Sequence, residues 1–345
     1  MTLALPALLI LLALGCAASW ALTSSVRRYA LHADLLDHPN ARSSHTVPTP
    51  RGGGVAIVVS YLALVAVFAL AQAMDARLAA ALLGSGALVA VLGFIDDRKP
   101  LPARWRFTGH LLAAAWVIAW IGPLPPVPIF GVVVDLGIGA LVVSALHLVW
   151  SINQFNFMDG IDAIASLEAI SVALGGAFVW WLTQPQGEWL LAVAFAACVA
   201  GFLIWNFPPA RIFMGDAGSG FLGCMIATLA LWSARATPHL FWSWLILVGA
   251  FMVDSTITLV RRVAHGERFN EAHRSHAYQY AARKWGSHKV VSIAFVAITM
   301  LWLFPLAVAV ALGLLDGAIG VIVAYAPLFL LAFHYKAGNS SAQKI

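Results

Sequence analysis

Apolar residues in this chain come in long uninterrupted blocks. They neither alternate with polar residues as in a half-buried strand nor recur every three to four positions as on a surface helix. The blocks lie near 3–23, 53–73, 78–95, 107–122, 136–152, 163–183, 188–206, 219–234, 238–260, 289–313 and 317–334. A helix needs roughly 20 apolar residues to cross a bilayer core. The pattern therefore predicts an all-α polytopic membrane protein with about eleven transmembrane helices. The fourth and fifth blocks are the weakest; they flank a proline-rich stretch at 123–128. No internal repeat or low-complexity segment interrupts the series. One integral membrane domain, 1–345, is expected, with 336–345 a short, polar, frayed cytoplasmic tail.

Composition agrees with the pattern. Of 345 residues, 61% are hydrophobic and 10% charged, against about 25% charged in an ordinary soluble domain. A soluble enzyme, a disordered chain and a disulfide scaffold are excluded. Cys16, Cys198 and Cys224 each sit inside an apolar block, which leaves no CxxC metal pair and no even disulfide set. The first block has no basic residue before it and Arg27-Arg28 after it, the order of a retained helix that starts outside and ends in the cytoplasm. With that orientation 18 of the 20 Lys and Arg residues fall on the cytoplasmic side, leaving only Arg77 and Arg235 opposite. This asymmetry accounts for the net charge of +5 without a nucleic-acid partner.

The polar residues then fall into clusters on that same face, which predicts a cytoplasmic active site assembled from loops. Asp96-Asp97 ends the third block, followed by Arg98-Lys99. Adjacent carboxylates repel unless a cation sits between them, so the pair reads either as Mg²⁺ ligands or as a helix end neutralised by Arg98 and Lys99. The stretch Asn153 to Asp162 carries Asn153, Asn156, Asp159 and Asp162. On one helix Asn153 and Asp162 would face opposite ways, so a shared pocket requires a backbone break, expected at Gly160. Asn206 to Gly220 places Asp216 at a helix start among three glycines and Ser219. It could hold a ligand with backbone N–H groups close by, or be a plain N-cap. Glu267 to Tyr278 holds His273 and His276, suited to a diphosphate; zinc lacks further ligands at a recognised spacing. His38 to Gly54 supplies Arg42, His45 and a glycine run that resembles a phosphate-binding loop only weakly. Within the blocks, Asp254 either lines the cavity or pairs with Arg261-Arg262, and Glu168 and His147 read as structural groups satisfied inside the bundle.

In order along the chain, SSHTVPTPRGGG, FIDDR, NQFNFMDGID, FMGDAGSGFLG and AHRSHAYQ resemble the polyprenyl-phosphate N-acetylhexosamine-1-phosphate transferases, glycosyltransferase family 4. The resemblance runs from Asp37 to Tyr278, about 70% of the chain. It implies transfer of a sugar 1-phosphate from a UDP-N-acetylhexosamine to a polyprenyl phosphate, with Mg²⁺ (or Mn²⁺ in its place) and release of UMP. It implies a bacterial cytoplasmic membrane as the site of action, and a homodimer by analogy. Carried over, Asp216 resembles the principal metal ligand, with Asp97 beside it. Asp96 resembles the residue that binds or deprotonates the lipid phosphate. Asn156, Asp159 and Asp162 resemble the nucleotide and catalytic loop, with Asp162 near uracil. Phe213 is placed like an aromatic that stacks on uracil, and Asn206 like its support. His273 and His276 resemble the histidine motif at the diphosphate, and Arg42, His45 and Asn153 join the substrate-binding set.

Two departures narrow the branch. Pro100 stands where the muramoyl-pentapeptide branch carries a lysine, and His273-Arg274-Ser275-His276 replaces a run of adjacent histidines. The form is similar to the branch that starts O-antigen and other surface-polysaccharide carriers. The alternative class is a polytopic transporter or lipid flippase, which would spread its polar groups through the membrane depth instead of crowding them at one face. An intramembrane prenyltransferase fits less well, because it would carry two like aspartate-rich motifs.

Overall fold

The computed structural model describes residues 5–38, 47–267 and 274–339. It opens with α1 (Leu5–His32), a two-stranded ribbon β1 (Leu36–Asp37) and β2 (Thr49–Pro50), then α2 (Val55–Leu70), α3 (Ala76–Arg98) and α4 (Ala103–Ile121). A hairpin, β3 (Val127–Ile129) and β4 (Val132–Val134), leads to α5 (Gly139–Met158), α6 (Ile164–Thr183), α7 (Leu190–Asn206) and α8 (Asp216–Ala236). There follow α9 (His239–Leu247), α10 (Gly249–Ala264), α11 (Ala277–Trp285) and α12 (His288–Ile298). A π-helical turn, Thr299–Leu303, joins α12 to α13 (Phe304–Ala311), and α14 (Gly317–His334) ends the bundle.

The protein is an all-α polytopic membrane protein. Seven helices are long and apolar enough to cross a bilayer, or eight if α9 and α10 form one bent span. About eleven spans, as expected from the blocks, are not what the described helices deliver by length and composition. Helices α2 and α7 are apolar but only 16 and 17 residues long. Helix α4 begins with Arg104, Arg106 and His110, which dilute its apolar character. The block 238–260 is not one rod either: the chain bends by 70° at Val248 between α9 and α10. The β3–β4 hairpin was invisible as hydrophobic periodicity. It turns on Phe130 (φ 50°) and Gly131 (φ 79°), two consecutive left-handed residues that match the twist of a tight hairpin.

Helix α8 lies at the centre, 94% of its span buried, between α3 and α5. Small residues let the backbones meet: a Cβ on Gly223 would lie 2.0 Å from the Ser151 carbonyl oxygen on α5. The intramembrane polar groups are less fully satisfied than expected. Glu168 on α6 is fully buried and accepts one hydrogen bond, 3.2 Å from Thr299 Oγ1, while its other oxygen has no partner among the described residues. His147 likewise leaves Nε2 without one. The start of the tail is tied down instead of frayed. Gly338 N–H donates to the Ser275 carbonyl at 2.7 Å, and Arg261 Nη1 donates to that of Ala337 at 2.7 Å.

Candidate active site

The glycine-rich stretches turn out to be the joints that bring three helix ends together. A Cβ on Gly54, just before α2, would lie 2.4 Å from Gly218 Cα on α8. One on Gly93 of α3 would lie 2.5 Å from the backbone of Asp216 and Ala217. Gly215 has φ +79° and faces the Asp97 carboxylate. Gly54 and Gly93 serve backbone-to-backbone packing, and Gly215 makes room for the Asp97 carboxylate. The chain at 50–54 also runs alongside 213–214, with Phe213 N–H donating to Pro50, and Gly53 and Gly54 N–H donating to Phe213 and Met214.

At this joint the acidic residues converge. Asp97, at the end of α3, accepts from the Asp216 N–H at 2.9 Å and the Ala217 N–H at 3.2 Å. It thereby caps α8 from a different helix, so Asp216 is not the N-cap; it is the first residue of α8, after Gly215. One nitrogen, Arg51 Nη2, lies 2.8 Å from Asp97 Oδ1 and 2.9 Å from Asp216 Oδ1. Asp96 accepts from the Leu101 N–H at 2.6 Å and pairs with Arg106 at 3.0 Å. The cations beside the aspartate pair are therefore Arg51 and Arg106, not Arg98 and Lys99. Arg98 stacks over Phe94, 4.3 Å from its ring centre. For Arg51, burial would weaken the charged form, but Asp97, Asp216 and Asp37 outweigh it and strengthen its hold on the proton.

The second stretch breaks where expected. Helix α5 stops at Met158, and Asp159 to Ala163 form a turn before α6. Gly160 is required by close approach, since a Cβ there would lie 2.1 Å from Tyr278 Oη. The left-handed residue is Ala163, φ +66°. Asn156 donates to Ser219 Oγ on α8 at 3.1 Å. Asp159 is half-buried beside it. Burial first, then the charges of Asp216, Asp97 and Asp162, hold its carboxyl well above the ordinary range against the opposing pull of Arg51. Asp162 is built into the scaffold: its Oδ2 accepts from the Ala210 N–H at 3.1 Å and its Oδ1 lies 3.3 Å from His288 Nδ1. Its carbonyl accepts from Ser292 Oγ at 2.8 Å. Asn206, the last residue of α7, bridges the Ala163 N–H and the Ile212 carbonyl, each at 3.0 Å.

The remaining candidates have other partners. Asn153 turns toward α4, with Nδ2 3.2 Å from His110 Nδ1 and 2.7 Å from the Val149 carbonyl. Phe213 is half-buried on the loop before α8. His276 is buried at the N-cap of α11, Nδ1 3.3 Å from Asp254 Oδ1. Asp254 lines the cavity between α10, α11, α12 and α14 and does not pair with Arg261-Arg262; it also caps α11, accepting from Ala277 and Tyr278 N–H at 2.9 and 3.0 Å. Arg42, His45 and His273 lie outside the described residues. The convergent groups thus stand on helix ends (the last turns of α3 and α5, the end of α7, the start of α8), so the site is not made of loops alone. Sequence reading missed Arg51, His288 and Ser292 as site residues. Arg51 was legible only as one residue of the glycine-rich stretch; the other two join the site solely through folding.

Among the described residues no group of three or more His, Cys, Asp or Glu forms a protein-only metal cage. Magnesium does not need one: it takes one or two carboxylates and completes its octahedron with water and phosphate oxygens. Two carboxylate oxygens converging on a single cationic nitrogen suit such an ion.

These features define a class: a multi-pass membrane protein with a carboxylate-rich site at the ends of its helices. The family model described as glycosyl transferase family 4 matches residues 78–234. The chain is 30% identical over 280 residues to a probable undecaprenyl-phosphate N-acetylglucosaminyl 1-phosphate transferase of Bacillus subtilis, covering 78% of this chain and 75% of the relative. It is 29% identical over 313 residues to a decaprenyl-phosphate N-acetylglucosaminephosphotransferase of Mycobacterium tuberculosis, covering 81% and 76%. A phospho-N-acetylmuramoyl-pentapeptide-transferase of Moorella thermoacetica is 35% identical over 198 residues, 53% and 61% of the two chains. The chain belongs to glycosyl transferase family 4, the polyprenyl-phosphate sugar-1-phosphate transferases.

Proposed function

We propose that this protein transfers an N-acetylhexosamine 1-phosphate from its UDP-sugar to undecaprenyl phosphate, at the cytoplasmic face of a bacterial inner membrane. The observation that carries the reading is the convergence of Asp97 and Asp216 on one cation, with Asp96, Asn156 and Asp159 around them. Counting the bent α9–α10 pair as one span and adding α2, α4 and α7 gives eleven, with the amino terminus outside and the carboxylates of the site inside.

In the reaction an oxygen of the lipid phosphate bonds to the sugar-bearing phosphorus. The bond from that phosphorus to UMP breaks, and UMP leaves with the electron pair. The difficulty is electrostatic, because one anion attacks another. Asp216 and Asp97 would hold Mg²⁺, which neutralises charge on the diphosphate. A phosphate monoester has a second pKa of about 6, so the acceptor is largely dianionic at neutral pH and positioning outweighs base catalysis. Asp96 is already bonded to Arg106 and the Leu101 N–H, which favours a role in orienting the acceptor. Asp162 and Asn206 support the loop on which Asp159 stands. An apolar cavity of about 300 Å³ between α10, α11, α12 and α14, beside Tyr278, has the lining and the size to take a few isoprene units of the acceptor.

The departures at Pro100 and His273 to His276 favour a donor without the pentapeptide, and initiation of O-antigen or another surface polysaccharide. The two relatives named for N-acetylglucosamine transfer make that sugar the first donor to try. The test is UMP release by purified protein with undecaprenyl phosphate, Mg²⁺ and a panel of UDP-sugars. Release is expected to require lipid and metal and to vanish in Asp216→Ala. Folded protein that releases no UMP with any UDP-N-acetylhexosamine would overturn the reading and revive the transporter alternative.

A further inference from the structure

Arg51 and the two carboxylates it bridges differ in their freedom to move. Both oxygens of Asp97 are held by N–H groups of α8, and the backbone of Asp216 is part of that helix, so the Asp97 carboxylate and the root of the Asp216 side chain keep their places without Arg51. The Arg51 side chain is 37% exposed. The next residue, Gly52, has φ +94°, and nothing lies within 4 Å of the position its Cβ would take. Among the described residues, the backbone N–H of Arg51 donates to the Leu35 carbonyl on the opposite side of the ribbon, at 3.3 Å. The guanidinium can therefore swing away from the acidic pair.

We propose that Arg51 is an exchangeable counter-ion and a phosphate-binding residue of this enzyme. It holds the Asp97–Asp216 pair together in the substrate-free protein. It gives that place up when a divalent cation enters, and turns its guanidinium onto the donor's diphosphate. The inference rests on the reading that this pair is the metal site. The guanidinium nitrogen stands less than 3 Å from both oxygens, so a metal ion cannot occupy the same position, and the two like charges repel. A guanidinium displaced from a carboxylate pair needs another anion, and its planar fork of N–H donors matches a phosphate bidentately. The diphosphate is the anion delivered at that moment. Metal and diphosphate binding are then coupled, each tightening the other, because the diphosphate gives the displaced Arg51 an anion in place of the carboxylate pair.

The experiment is titration of purified protein in lipid nanodiscs with Mn²⁺, read by electron paramagnetic resonance, with and without UDP as the diphosphate probe. The wild type is expected to bind Mn²⁺ on the order of tenfold more tightly with UDP present, within the usual range of such couplings. Arg51→Gln is expected to bind Mn²⁺ more tightly than wild type in the absence of UDP, and to lose most of the UDP effect. Arg51→Lys keeps the competing charge without the fork. It should bind Mn²⁺ alone as weakly as wild type while showing a reduced UDP effect, and it serves if the glutamine variant does not fold. Unchanged Mn²⁺ affinity in Arg51→Gln, or full UDP coupling retained in either variant, overturns the proposal. Asp216→Asn separates the two readings. Wild-type Mn²⁺ binding in that variant overturns the metal site itself, whereas lost binding there with an unaltered Arg51→Gln overturns only the role of Arg51.

Discussion

Asp97 ties metal-site chemistry to helix capping in one side chain. Its oxygens satisfy two N–H groups of α8 and pair with Arg51 at 2.8 Å. Asp216 has no such structural duty and sits among like charges. Asp97→Ala should therefore destabilise the metal-free protein by about 1–2 kcal/mol, the cost of a lost cap. Asp216→Ala should leave the thermal midpoint unchanged or raise it, while both variants lose activity. Thermal unfolding in detergent compares them, and equal midpoints would contradict the assignment. Asp159 gives a second residue-scale prediction. A carboxyl held above its ordinary value favours its protonated form in the fold. Its contribution to stability is thus complete below the ordinary Asp value of about 3.9 and is lost as pH rises through the raised value. The midpoint of the metal-free protein should fall as pH rises from the ordinary Asp value to the raised one, and level off above it. Asp159→Asn should flatten the decline.

At the scale of elements, the site depends on how closely α2, α3 and α8 approach. Gly54 and Gly218 leave no room for a methyl group on either backbone. Gly218→Ala should cost about 1–3 kcal/mol, as overpacking does, and should lower UMP release with it by shifting α8 away from α2. A fully active, equally stable alanine variant would show that the gap can open freely. Helix α12 reaches the site from the other side, with Ser292 and His288 on successive turns holding Asp162. It carries no catalytic motif of its own. Its register with the turn after α5 became visible only once the helices were packed.

For the whole molecule, the arrangement must join a water-soluble donor to an acceptor confined to the bilayer. The carboxylates gather at helix ends, while the apolar cavity lies between α10, α11, α12 and α14. Ala281→Phe, which fills that cavity from α11, should raise the KM for undecaprenyl phosphate several-fold and leave the KM for the UDP-sugar unchanged. Steady-state kinetics varying each substrate in turn reads the split. An equal rise in both would place the isoprenoid elsewhere.

Much of this could be read along the chain, because the bilayer imposes a length and an apolar composition on every crossing helix. The multi-pass class, the rough helix positions and the five motif stretches were legible. So were Asp96, Asp97, Asn156, Asp159 and Asp216 as candidates, since charged groups beside apolar blocks stand out. Folding settled what depends on neighbours distant in sequence. Gly54 meets Gly218, Arg51 bridges Asp97 and Asp216, and His288 holds Asp162, over separations of more than a hundred residues in every case except Arg51 to Asp97. The bend at Val248 and the capping role of Asp254 belong there too. A local pattern records what each residue needs, burial or water. Which backbone N–H meets which carboxylate follows from the packing of helices against one another, and no local pattern encodes it.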